Sequence, residues 1–265
     1  MQIGKAGAPV SHISQAYPDR VEVRGRDLCG DLMGRLSFTE YFHLLLTGRE
    51  PTENQRFFLD LLLVSIAEHG MMPTNVAARM TLAADPQSLQ GAVAAGILGC
   101  GPVVLGTSES CARLLVDAQE EVAAGEEPAA VADRIARAYH GSADKVPGFG
   151  HPVHRPVDPR AERILELADA RGVSGPHVML ARCLRDSVAT AWGKPLPLNV
   201  ALPIAAVMLD LGFSPDVVKA VPILARTAGL LAHLAEERRQ PLGFLMAAGA
   251  EEAITYEPGP EDAAP

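Results

Sequence analysis

Residues 145–160 read Lys145-Val146-Pro147-Gly148-Phe149-Gly150-His151-Pro152-Val153-His154-Arg155-Pro156-Val157-Asp158-Pro159-Arg160. The stretch separates two helical patterns, and its composition is unsuited to a core. Gly148 and Gly150 let backbone approach a ligand closely and expose N–H donors, while the prolines fix the path. Asp158 ahead of Pro159 is a helix N-cap, and Arg160 falls in the first turn, where the helix terminus favours an anion. A histidine in such a loop can donate a hydrogen bond or shuttle a proton. The residues therefore read as an anion-binding loop; the competing reading is a rigid connector carrying surface histidines.

Outward from this loop the pattern is helical in both directions. Ser37 with Glu40 forms a capping-box signature, the apolar Tyr41, Phe42, Leu44, Leu45 and Leu46 follow, and Gly48 stops the helix. Pro51-Thr52-Glu53 opens a helix through Ala67, and its run Leu61-Leu62-Leu63-Val64 is apolar on more than one face. Further helices are expected at 74–84, 89–98, 108–124, 128–140, 159–171, 177–192, 201–211, 215–235 and 243–252. Residues up to about Asp19 read as polar and extended, and Val21–Asp27 as a short strand or turn. The fold class is all-α: no period-2 pattern of any length and no internal repeat is present.

Composition narrows the function. The 265 residues are 48% hydrophobic and 5% aromatic, enough apolar mass for a sizeable core dominated by Ala, Leu and Val. Lys and Arg number 23 against 32 Asp and Glu, a net charge of −9. That balance argues against a nucleic-acid binder while leaving room for a local basic pocket. Cys29, Cys100, Cys111 and Cys183 form no CxxC or Cys/His ligand spacing, so buried reduced thiols in a cytoplasmic protein are expected, with no metal. The start of the chain lacks a signal-peptide pattern. The longest soft candidate for a membrane span, Gly91–Gly106, is Gly-rich, holds Pro102 and is shorter than the roughly 20 residues a span needs, so no membrane partner is expected.

Two other segments offer positive or titratable groups. In Glu68-His69-Gly70-Met71-Met72-Pro73-Thr74-Asn75 an apolar helix ends in His then Gly, a placement that the helix dipole alone also favours. Arg226 lies in the apolar run Ile223–Leu231, where a charge costs several kcal/mol unless it meets an internal carboxylate or awaits an anionic ligand. Three separate segments presenting His or Arg suit a small-carboxylate pocket.

These segments, in this order, resemble the citrate synthase superfamily. Arg24-Gly25, Phe38-Thr39-Glu40, Leu44–Gly48 and Pro51-Thr52 look like its N-terminal signature, and Glu68-His69-Gly70 through Arg79 is similar to the segment with a substrate-binding His. Pro147–His151 with Asp158-Pro159-Arg160 is close to the family's most specific motif, and Ala225–Gly229 with His233 matches the segment with another substrate arginine. The resemblance covers about Val21 to Tyr256, in a chain of the short, citryl-CoA lyase-like size.

The resemblance implies a helical homodimer with a large domain (1–106 and 208–256) and a small domain (107–207), while the composition of 257–265 reads as a disordered tail. It implies that His69, His151, Arg160 and Arg226 bind the oxaloacetate part of the substrate, with His151 polarising the reacting oxygen. Arg239, or Arg238, would come across a dimer, and the Val146, Pro147, Gly148, Phe149 and Gly150 backbone would hold a coenzyme A thioester. The implied reaction cleaves or forms a carbon–carbon bond in a 3-hydroxyacyl-CoA such as citryl-CoA. The alternative is a CoA- or carboxylate-binding protein of the same fold. Two positions depart from the family pattern: Val104 replaces the His of a Gly-Pro-x-His-Gly-Gly context, and Ala201 stands where the catalytic Asp follows Asn199-Val200.

Overall fold

The structure is a computed structural model that describes residues 9–257 and 259, so the expected disordered tail lies almost wholly outside the described residues. The chain divides into two units after Leu61. The first opens with three short antiparallel strands, β1 (Ser14–Ala16), β2 (Val21–Val23) and β3 (Arg26–Asp27), in the order β1-β2-β3. They are two or three residues long, too short to leave an alternating pattern in the sequence. Arg24 (φ 51°) and Gly25 (φ 76°) both sit in the left-handed region, the two-residue turn geometry that suits a hairpin. Asp27 then accepts from the Gly30 amide and starts a single π-type turn, Leu28–Leu32.

Helix α1 (Phe38–Thr47) has the reciprocal capping box of Ser37 and Glu40 and ends on left-handed Gly48, as the sequence signature requires. Its Leu44 joins Val23 and Leu32 in the core of this unit, flanked by Leu28, Leu36, Tyr41 and Leu45. Helix α2 (Glu53–Ala67) runs across the division between the units.

The second unit is helical throughout. Helices α3 (Pro73–Ala84), α4 (Leu89–Leu98), α11 (Ala220–Glu237) and α12 (Gly243–Ala253) pack together, α3 and α4 burying Ala78, Leu82 and Ala92 against Leu230 and Leu234 of α11. Helices α5 (Thr107–Ala123), α6 (Pro128–His140), α7 (Pro159–Ala170), α8 (Pro176–Trp192) and α9 (Ala201–Asp210) form a second group. Every residue of α9 from Ala201 to Leu209 is buried, so this helix is a central post, packed against α5, α7 and α8.

One expected helix, 215–235, is two: α10 (Pro215–Val218) and α11, separated at Lys219. Pro222 has no N–H to give the Val218 carbonyl, so the hydrogen-bond ladder breaks there and restarts. By length and composition, Pro215–Glu237 is also the one stretch among the described residues apolar enough to cross a bilayer, not Gly91–Gly106. Its Leu230 and Leu234 are buried against α3 and α4, and Gly229 lies against Ala67 at the end of α2.

Candidate active site

The loop after α6 is held by backbone pairing rather than by its own turns. Gly150 N–H donates to Pro197 O and Asn199 N–H to Gly148 O, both at 2.8 Å, forming a bridge between Phe149 and Leu198. Asn199 adds a side-chain bond to Gly150 O (3.1 Å) and accepts from the Ala201 amide (3.1 Å). The loop is thereby fastened to the segment that enters α9. Gly148 sits at φ +84°, where a Cβ would lie 2.6 Å from Leu202 Cβ and 3.1 Å from Cys111 Sγ, so no other residue fits without displacement.

Asp158 caps α7 and is fully buried. It accepts from the Arg160 amide (3.1 Å), from Arg160 Nε (3.0 Å) and Nη2 (2.8 Å), and from the Val200 amide (3.2 Å). Burial pushes its carboxyl up, but the bonds and charge of Arg160 outweigh burial and hold it below its ordinary value. Arg160 thus reaches the site with its guanidinium already forked onto Asp158.

His151 has a defined tautomer. The amides of Val153 (3.1 Å) and His154 (2.9 Å) both donate to its Nδ1, so the neutral ring carries its proton on Nε2 and is a hydrogen-bond donor there. Burial first, then His154, keeps it below the usual histidine range, which favours this neutral form. His69, at the end of α2, lies with its ring centroid 5.2 Å from that of His151. Burial, followed by Arg160 and the neighbouring imidazoles, lowers it as well. His154, absent from the residues singled out in sequence, completes the group: its Nε2 is 2.9 Å from His69 Nε2 and its ring 4.4 Å from that of His151. The three rings offer nitrogens within 4.8 Å of one another. With Nδ1 of His151 turned to two amides and Nε2 protonated, however, that ring is a donor and not a ready metal ligand.

Arg226 is 2% exposed and no carboxylate pairs with it among the described residues. Its Nη1 donates to Asn75 Oδ1 (3.0 Å), its Nη2 reaches Ile66 O (3.4 Å), and Nε is buried without a partner. Burial lowers its pKa, opposed by Glu68. Of the two alternatives open in the sequence, a direct internal ion pair is not formed among the described residues: both terminal nitrogens meet neutral oxygens. Asn75, also missed in sequence, aims it: Nδ2 is tied to Gly70 O (2.6 Å), which fixes Oδ1 toward Arg226. Behind it Glu68 takes the His69 and Gly70 amides and pairs with His233 Nε2 (2.9 Å), while His233 Nδ1 accepts from buried Arg79. Arg79 is itself paired with Glu236 and Glu237.

A cleft of about 900 Å³ lies beside these groups, within the size range of small-molecule sites. Val146–His151 forms one wall, with Trp192 and Asn199; Pro102 and Val103, from the turn that holds Val104, form another. Arg239, expected to reach the site of a partner subunit, is exposed beyond α11. Asp210 is also remote in role: it accepts from the amides of Gly175, His177 and Val178 and from His177 Nδ1, so it caps α8 and leaves position 201 without a carboxylate.

This helical fold, with a Pro-Gly-Phe-Gly-His loop locked to the start of α9, defines the class: the chain belongs to the citrate synthase family, whose C-terminal domain matches residues 12–243. Within that class it is similar over its whole length to citryl-CoA lyase from Hydrogenobacter thermophilus, with a TM-score of 0.84, 30% identity and 98% of each chain covered. ATP citrate lyase from Methanothrix soehngenii shares the fold, with a TM-score of 0.73 and 22% identity over 99% of this chain and 44% of its own. In sequence, the putative citrate synthase 2 of Mycobacterium tuberculosis is 33% identical over 220 residues, 80% of this chain and 54% of that protein. Citrate synthase from Heyndrickxia coagulans is 28% identical over 208 residues, 76% of this chain and 52% of that protein. The chain spans about half the length of these curated relatives.

Proposed function

We propose that the chain is a citryl-CoA lyase-like enzyme that cleaves, or in reverse forms, the carbon–carbon bond of a 3-hydroxyacyl-CoA such as citryl-CoA. The products of cleavage are acetyl-CoA and oxaloacetate or a related keto acid. The observation that carries the reading is His151, a donor at Nε2, placed on the wall of the cleft next to the Val146–Gly150 backbone. The end-to-end likeness to a citryl-CoA lyase supports it.

In cleavage the hydroxyl proton leaves, the oxygen becomes a keto oxygen, and the electron pair of the breaking bond passes to the acetyl carbon as an enolate. That carbon then takes up a proton. His151 Nε2–H donates to the oxygen throughout, Arg226 pairs with a substrate carboxylate, and the glycine-lined loop receives the thioester. Ala201 can neither take nor give a proton, and a positioned acid or base is worth roughly 10²–10⁴-fold. Ala201→Asp is therefore expected to raise turnover within that range. Formation of acetyl-CoA and oxaloacetate from citryl-CoA, with the thioester conserved, tests the reading, and no turnover above the protein-free rate in either form defeats it.

Ala201 also favours a second reading, a CoA- and carboxylate-binding protein that does not turn over. Calorimetric titration separates the two: it predicts saturable binding of CoA and citrate by a protein that leaves citryl-CoA intact.

A further inference from the structure

His154 has no place in the chemistry described so far, yet it makes the closest contact among the three imidazoles, 2.9 Å between its Nε2 and that of His69. That distance is an N–H···N hydrogen bond between two rings. Two neutral imidazoles carry two N–H groups and two lone pairs, and the mutual bond uses one of each. One lone pair and one N–H remain, and both fall on Nδ1: the ring that donates through Nε2 keeps a bare Nδ1, and the ring that accepts keeps Nδ1–H. A proton arriving at the bare Nδ1 can be matched by transfer of the Nε2 proton across the bond and loss of the Nδ1 proton from the other ring. The pair thus takes a proton on one side and gives one on the other, with no net change in its charge.

The carboxylates that act directly on the histidine cluster are committed. Asp158 is saturated by Arg160 and the Val200 amide, Glu68 by two amides and His233, and His151 Nδ1 by two amides. Ala201 has nothing to offer. The His69 and His154 rings lie 5.2 and 4.4 Å from that of His151, whose Nε2 holds the reacting oxygen in the reading above.

We propose that the His69–His154 pair is a proton relay that takes the substrate hydroxyl proton at His69 and releases a proton from His154 to solvent, in place of the carboxylate absent at position 201, while the enolate carbon takes its proton from water. The O–H bond and the carbon–carbon bond break, a carbonyl and a new C–H bond form, and the pair ends in the opposite tautomeric arrangement, which solvent exchange resets. His154 acts through His69 and is a positioning residue as well as a proton carrier.

The inference rests on the lyase reading, and the test separates the two. Citryl-CoA cleavage is measured for the wild-type chain, His154→Phe and His154→Gln, with citrate affinity measured by calorimetry on each. Glutamine keeps one hydrogen bond to His69 but cannot pass a proton. Both variants are expected to lose roughly 10²–10⁴-fold in kcat, with citrate affinity changed less than about threefold, and added imidazole is expected to restore part of the rate to a His154→Gly variant. An active wild type with an equally active His154→Gln overturns the relay alone. Wild-type inactivity overturns the lyase reading and the relay with it.

Discussion

Arg226 is a single buried charge that makes no ion pair among the described residues, with Glu68 the carboxylate that acts on it from nearby. Its Nε has no partner, and its two terminal nitrogens meet only neutral oxygens. A buried charge in this condition costs the folded state several kcal/mol in desolvation. Replacement by an apolar residue removes that cost while leaving Asn75 Oδ1 with only the Thr74 hydroxyl (3.3 Å), and the two effects oppose. Arg226→Met is therefore expected to change thermal stability by less than about 1 kcal/mol while weakening citrate or oxaloacetate binding about 10- to 100-fold, since hydrogen bonds to charged groups contribute about 1.5–3 kcal/mol. Melting curves and calorimetry on the same protein check both halves; a large loss of stability with affinity intact would mark Arg226 as structural. Sequence alone identified this residue because a charge within Ile223–Leu231 is conspicuous. It could not say whether a carboxylate waited inside, because Asn75, the residue that does meet Arg226, lies 151 positions away.

At the scale of elements, local rules carried most of the weight. Capping boxes, proline at N1 and a glycine stop act within four residues, and the helices they bound appear where the sequence places them, from α1 to α12. The failures are where the cause is short or not periodic: strands of two or three residues, and the α10–α11 break before Pro222. The caps also govern response to acid. The Asp210 carboxyl is pushed up by burial, but His177 and the amides of Val178, His177 and Gly175 prevail and hold it below its ordinary value of 3.8. A carboxyl with a depressed folded pKa contributes stability that is fully present above 3.8 and is lost as pH falls through the lower folded value. Asp210→Asn is expected to cost about 1–3 kcal/mol near neutrality and to flatten the decline of melting temperature below that pH. An unchanged acid limb would remove Asp210 from this role. The loop-to-α9 junction makes a second element-level prediction. Gly148→Ala adds a left-handed strain of about 1–3 kcal/mol to a Cβ placed 2.6 Å from Leu202 Cβ. A stability loss of at least about 2 kcal/mol in denaturant titration is expected, with CoA affinity reduced because the same backbone lines the cleft.

Across the whole molecule, the negative balance of the chain coexists with a cluster of cationic and imidazole groups drawn from three distant segments. The one tryptophan, Trp192, lies on the wall of the cleft with its ring 4.8 Å from that of His140. It reports on that cleft without interference from elsewhere. CoA is expected to change Trp192 emission saturably, with the same midpoint that calorimetry gives, and a spectrum unaffected by saturating CoA would place the nucleotide elsewhere.

The sequence by itself determined the helical class and the caps and stops, and it singled out the loop at 145–160 with His69, His151, Arg160 and Arg226 as candidates. Periodicity, capping and composition act over a few neighbouring residues and so are written along the chain. Only the tertiary structure decided that Arg160 arrives already engaged by Asp158, that Arg226 makes no ion pair among the described residues, that His151 is protonated on Nε2, and that His154 closes on His69. Where a proton sits and whether a charge is paired depend on which atoms meet in space. His69 and His154 meet across 85 residues of chain, a separation at which no local pattern survives.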